Sequence, residues 1–160
     1  MKKKIAIIII IIAIIVIAVL AMIIVKNNNK TIQINIEDLA SKILQSGAFE
    51  DELIKVDSEM IMKDYNFTAD EVEEFVSYQG SGATSEEIVI LKVKDKSNLN
   101  SIKDKINARI EERKEAFQSY LPKEVGKIDN NILRVEGNYV IFCVSNDSSK
   151  VNQIINDYVK

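Results

Sequence analysis

The chain has 160 residues, with 21 basic and 24 acidic side chains, one cysteine and no histidine or tryptophan. A single cysteine excludes an intramolecular disulfide, and the lack of histidine removes the usual base for a serine or cysteine nucleophile and the commonest transition-metal ligand. Beyond residue 26 the balance is 17 basic to 24 acidic groups, a net of −7, a sign that repels nucleic-acid backbones and anionic lipid heads.

Residues 5–25 are drawn only from Ile, Ala, Val, Leu and Met. As a helix this run would extend roughly 31 Å, about the depth of a bilayer's hydrocarbon core. A lone strand there would leave its backbone polar groups unpaired, so a transmembrane helix is expected, with the lipid bilayer as its partner. Lys2, Lys3 and Lys4 precede the run while Lys26 and Lys30 follow it, which predicts a cytoplasmic amino terminus and an extracytoplasmic body. The alternative is a signal peptide cut near Ala21 and a secreted product. Residues 1–4 are then a basic flank, 26–30 (KNNNK) a tether, and 31–160 one folded domain.

Ile32, Ile34 and Ile36 alternate with polar residues as a brief strand or extended lead-in. Asn35 is placed to cap a helix over 37–45, with Leu39, Ala40, Ile43 and Leu44 on its apolar face and Gly47 ending it. Met60, Ile61 and Tyr65 have the spacing of a short helix, with Asp57 or Ser58 as its cap and Asn66 at its end. Residues 75–79 (FVSYQ) predict the first main strand, and 87–94 (EIVILKVK) the second. In the second, Val89, Leu91 and Val93 face a dry side and Ile88, Ile90, Lys92 and Lys94 a partly wet one.

Over 97–120 the period changes, and Leu99, Ile102, Ile106, Ile110, Arg113 and Phe117 mark one stripe of a long helix. Arg113 is expected to lay its carbons along the sheet and carry its charge to water. Pro122, the only proline, closes that helix. Strands follow at 132–136 and 139–145 about a tight Gly137-Asn138 turn. Asn146 or Asp147 caps a last helix whose inner face is Val151, Ile154, Ile155 and Tyr158. The fold class is α+β: a predominantly antiparallel four-stranded sheet, ββαββα in sequence, with helices packed on one face.

Three pieces of this sequence carry a family resemblance: Ser81-Gly82-Ala83-Thr84 with Glu86-Glu87-Ile88, then Phe117, Tyr120, Pro122 and Val125, then Gly137, Tyr139 and Ser145-Asn146-Asp147. Over about residues 36–159 the chain resembles a bacterial family catalogued as domain of unknown function 4358, common in Firmicutes, with secreted, lipid-anchored and membrane-anchored members. The resemblance implies the α+β architecture and an extracytoplasmic place, and it implies no activity. Many relatives have a cysteine anchor, whereas here an apolar helix takes that role.

The loop 80–84 presents N–H groups and two hydroxyls, so Ser81, Gly82, Thr84, Glu86 and Glu87 are the candidate ligand or partner contacts. The loop lacks the Gly-Lys-Ser/Thr ending of a nucleotide phosphate loop, and a strand rather than a helix follows it. A structural role for its glycines, with hydrogen bonds from Thr84 or Ser85, is the competing reading. Asp70, Glu71, Glu73, Glu74, Glu86 and Glu87 are expected to form a hydrated acidic rim, and Cys143 a small core residue. No catalytic residue, metal or cofactor is assigned, and no nucleic-acid partner. The leading expectation is a non-catalytic interaction or accessory role at the bacterial cell envelope, with an envelope protein as partner. Two alternatives are a small-ligand or anion sensor using loop 80–84 and a carboxylate-based cell-wall hydrolase.

Overall fold

The computed structural model describes residues 15–18 and 32–160. Residues 15–18 are helical, with Ile15, Val16 and Ile17 exposed. The remainder of the expected membrane span, the cleavage position near Ala21 and the tether 26–30 lie outside the described residues. Among the described residues no helix is long and apolar enough to cross a membrane.

Residues Ile32–Lys160 form a unit of their own. After an extended lead-in, helix α1 (Ile36–Leu44) starts where the Asn35 side chain accepts the Asp38 N–H at 3.0 Å. Helix α2 (Ser58–Asp64) is capped the same way by Asp57, and Asn66 takes the positive φ that lets the chain leave it. Strands β2 (Val72–Gln79) and β3 (Glu87–Val93) pair antiparallel, and β4 (Ile132–Glu136) and β5 (Tyr139–Val144) make a hairpin about Gly137, whose φ of +65° needs no side chain. Between the pairs run α3 (Leu99–Tyr120) and α4 (Pro122–Asp129), and α5 (Ser148–Tyr158) ends the chain with Asp147 as its cap.

The sheet has five strands in the order β1-β2-β3-β5-β4, every neighbouring pair antiparallel. The fifth is β1 (Ile54–Lys55), two residues on the edge of β2. It corrects the expected count of four, and a pair so short carries no alternation to read. Strand β2 also starts three residues before the expected Phe75. A bulge at Glu73 shifts the register between Val72 and Glu74, so Val72 and Phe75 pack into the same core although three residues apart. That breaks the two-residue period by which a strand is recognised.

The second correction concerns the faces. Ile88, Ile90, Ile141 and Cys143 pack under α1 and α5 in one core, while Val89, Leu91, Val140, Phe142 and Val144 pack under α2, α3 and α4 in another. Helices therefore cover both faces, and Ile88 and Ile90 are as buried as Val89 and Leu91, while Lys92 is half-buried and Lys94 exposed at the partly wet end of that side. A strand buried on two sides reads as a continuous apolar run, as IVIL and YVIFCV do. Pro122 ends α3 as expected, but it also begins α4 at a position where the missing N–H costs nothing.

Candidate functional site

Strands β2, β3 and β5 come together at one end of the sheet, where the last ladder pairs are Gln79 with Glu87 and Glu87 with Val144. Glu86 lies one residue beyond that end, and Ser145 follows Val144. The segment at Ala48 is tied to the same place, since its carbonyl accepts the N–H groups of Asn146 and Asp147. Helix α4 closes the group, presenting Glu124 and Lys127 three residues apart on one face. Together these elements line a recess of about 380 Å³ whose walls include Glu50, Lys123, Glu124, Lys127, Ser145 and Ser148.

Its interior is charged. Glu86 is wholly buried and accepts the backbone N–H of Glu50 at 2.9 Å and of Asp51 at 2.9 Å. Glu124, also wholly buried, accepts the Ser85 N–H at 2.9 Å and the Ser85 hydroxyl at 3.1 Å through Oε2. Lys127 Nζ reaches Glu50 at 2.9 Å, Glu86 at 3.2 Å and Glu124 at 3.4 Å. Burial works against that ammonium, but the three carboxylates outweigh it and raise its pKa. Two atoms of the lining residues have no partner among the described residues, Glu124 Oε1 and Ser145 Oγ, and both are buried.

The candidate residues of loop 80–84 serve a different centre. Asp51 Oδ2 accepts the Ser81 N–H and hydroxyl, each at 2.8 Å, and the Thr84 hydroxyl at 3.2 Å. The Ser81 hydroxyl and N–H hold the Asp51 carboxyl below the usual range. The loop thus surrounds an anion, and the anion is a side chain of the same chain. Gly82 has φ +90° with open space around it, so its requirement is conformational.

Glu87 is buried, on the opposite side of the chain from that recess in its contacts. Its Oε2 accepts the Tyr65 hydroxyl at 2.9 Å, and Arg113 Nε lies 3.3 Å from Oε1. Burial pushes the Glu87 carboxyl up, against the opposing pull of Arg113 and Tyr65. One expectation is corrected here: Glu86 and Glu87 are core groups rather than members of a hydrated rim. Arg113 stays 19 % exposed while its Nε comes beside the buried Glu87 carboxylate. Glu71 also leaves the rim: its carboxylate accepts Lys105 at 2.6 Å, Ser101 at 2.6 Å and Thr68 at 2.8 Å. Cys143 is buried, and burial raises its thiol pKa strongly.

Sequence reasoning passed over Glu50, Asp51, Glu124, Lys127 and Ser145. The three-residue spacing of Glu124 and Lys127 was visible, but nothing in it distinguishes a surface ion pair from a buried one. Among the described residues no cluster of histidine, cysteine and carboxylate side chains could hold a metal ion.

In class, then, the molecule is an α+β domain with an antiparallel sheet covered on both faces and a polar recess at one end of its central strands. The sequence model of one family, described as Domain of unknown function (DUF4358), matches residues 45–145, and the chain belongs to that family. The match takes in α2, α3, α4, all five strands and the recess up to Ser145. No curated protein and no solved structure matches the chain.

Proposed function

We propose that the chain is a membrane-tethered, extracytoplasmic domain with a non-catalytic binding or accessory role at the bacterial cell envelope. The tether and its orientation rest on the apolar run 5–25 and the lysines flanking it. The observation that supports binding over catalysis is how the carboxylates are used. Glu86 is held by two backbone N–H groups and Lys127, Asp51 by Ser81 and Thr84, and Glu87 by Tyr65 and Arg113. A general acid or nucleophile needs an oxygen offered to substrate, whereas the oxygens of Glu86 and Asp51 are engaged by the chain's own donors, and Glu87 Oε1, which accepts no hydrogen bond among the described residues, is buried 3.3 Å from Arg113 Nε. A carboxylate-based hydrolase therefore has less support.

The test places a photo-crosslinking residue at Asn130, exposed beside the recess, in the full-length protein in intact cells, with exposed Lys103 on α3 as control. A reproducible adduct with an envelope component from position 130 and none from position 103 is the expected result. Adducts confined to cytosolic proteins refute the placement, and equal adducts from both positions refute the site. A second reading, a small-ligand module, draws on the recess itself, whose lining includes the charged residues Glu50, Lys123 and Lys127.

A further inference from the structure

Strand β4 (Ile132–Glu136) is an edge of the sheet, with β5 on one side and no strand on the other among the described residues. Which of its backbone groups are free follows from the hairpin. Glu136 and Tyr139 flank the two-residue turn and exchange hydrogen bonds, so Arg134 and Ile132 also bond to β5. The alternate residues, Leu133 and Val135, turn their N–H and C=O groups outward, where no backbone group among the described residues meets them. An open edge is a template for another strand and is normally blunted. The opposite edge is: β1 covers part of β2, and the bulge at Glu73 bends the rest. Strand β4 has no bulge, no proline and no lysine, and its Val135 is exposed.

The side chains of β4 divide by face. Leu133 and Val135 lie on the side of α3 and α4, where Leu133 packs and Val135 stands opposite Val140. Arg134 and Glu136 lie on the side of α1 and α5, paired with each other, and Arg134 also donates to Asn156 of α5 at 2.6 Å. A second β4 laid antiparallel against the first and centred on Val135 brings Val135 against Val135 on one face. On the other face it sets Arg134 opposite Glu136 twice over. Backbone spacing also admits the registers one hydrogen-bonded step away, but those set Arg134 against Arg134 or Glu136 against Glu136. Charge therefore selects one register, in which the strand is complementary to itself.

We propose that a second copy of this chain pairs through β4 in that register, joining two five-stranded sheets into one continuous sheet. The two-fold axis of such a pair is perpendicular to the sheet, so both copies keep α1 and α5 on the same face. Ile32 lies against Gly137 and packs on that face, so both chains enter their domains from one side, which suits two chains tethered to one membrane. The pairing is independent of the recess.

Full-length Val135→Cys in detergent is oxidised mildly. A disulfide-linked dimer is expected, because a hydrogen-bonded cross-strand pair holds its Cα atoms about 5.5 Å apart, within a disulfide's reach. Ile54→Cys, exposed on the opposite edge, should give none, and neither should the unsubstituted chain, whose Cys143 is buried. Arg134→Glu and Glu136→Arg are then each combined with Val135→Cys and given different tags. Either alone puts like charges across the axis and should cut the dimer about fivefold or more. Mixed, they should restore it as a heterodimer, since one copy brings two acids and the other two bases; a folding defect, or loss of the pair within one strand, would not be rescued by mixing. No dimer from Val135→Cys, as when another segment or another protein fills the edge, would overturn the proposal. So would an equal dimer from Ile54→Cys, single variants that cross-link fully, or a mixture that does not recover.

Discussion

Replacing Glu71 by Gln tests whether a carboxylate expected at a wet rim instead fastens β2 to α3. Thr68-Ala69-Asp70-Glu71 has the spacing of a capping box, and Glu71 Oε2 accepts the Thr68 N–H at 2.9 Å, but here the motif closes the turn into β2. The same carboxylate reaches across to Ser101 and Lys105 of α3. Burial pushes its pKa up, yet the hydrogen bonds from Lys105, Ser101 and Thr68 prevail and lower it from 4.5 to about 2. That depression corresponds to at most about 3.5 kcal/mol of stability at neutral pH, from about 1.4 kcal/mol for each unit. With the side chain 13 % exposed, solvent screening brings the realised value to about 1–3 kcal/mol.

Because the folded pKa is the depressed one, the stabilisation is complete above the unfolded value of 4.5 and disappears as pH falls toward 2. Urea unfolding of residues 32–160 and of the Glu71→Gln variant, followed by circular dichroism at pH 7 and pH 3, measures it. The difference between the two proteins should be about 1–3 kcal/mol at pH 7 and less than half that at pH 3. An identical difference at both pH values would refute the ionic account and leave only a change of shape.

Glu86→Ala removes the acceptor of two buried N–H groups and a partner of Lys127, and should cost about 3–5 kcal/mol in the same urea assay; a loss under about 1 kcal/mol would contradict the buried network. Tyr65→Phe leaves Glu87 Oε2 without its donor and should cost about 1–3 kcal/mol, with no loss expected at all if that hydroxyl were solvated. Gly82→Ala, at φ +90° with nothing near its side, should lower stability by about 1–2 kcal/mol; unchanged stability would show that the loop relaxes freely. Cys143 should resist maleimide under native conditions and react after denaturation, and rapid native labelling would place it outside the core.

Much of the local structure was legible because its causes are local. Asn35 caps the helix it was expected to cap, Asp57 and Asp147 were each one of two candidates, and Gly137 supplies the hairpin's positive φ. The stripe from Ile102 through Phe117 is the buried side of α3. Where a signal was distorted or absent the reading fell short: the bulge at Glu73 hid the start of β2, and two residues of β1 are too few to show a period.

The candidate site divides differently. Ser81, Thr84, Glu86 and Glu87 do sit near one end of the sheet, but each answers to a different partner: Asp51, Lys127 with two backbone N–H groups, or Tyr65 with Arg113. Those partners lie 22 to 41 residues away in sequence where a hydrogen bond joins them. A glutamate has the same letter whether it is hydrated or buried against a lysine.

Spacing along one chain determined every helix of the domain but α4, the caps, the hairpin turn and an acidic α+β domain behind an apolar run, since each follows from contacts within a few residues. Only the tertiary structure decided that both sheet faces are covered, that β3 sits between β2 and β5, and that Glu86 and Glu124 meet Lys127 beside a recess. Those outcomes depend on which distant surfaces bury one another, and burial is what changes a charged side chain from a solvated group into an interaction that must be completed.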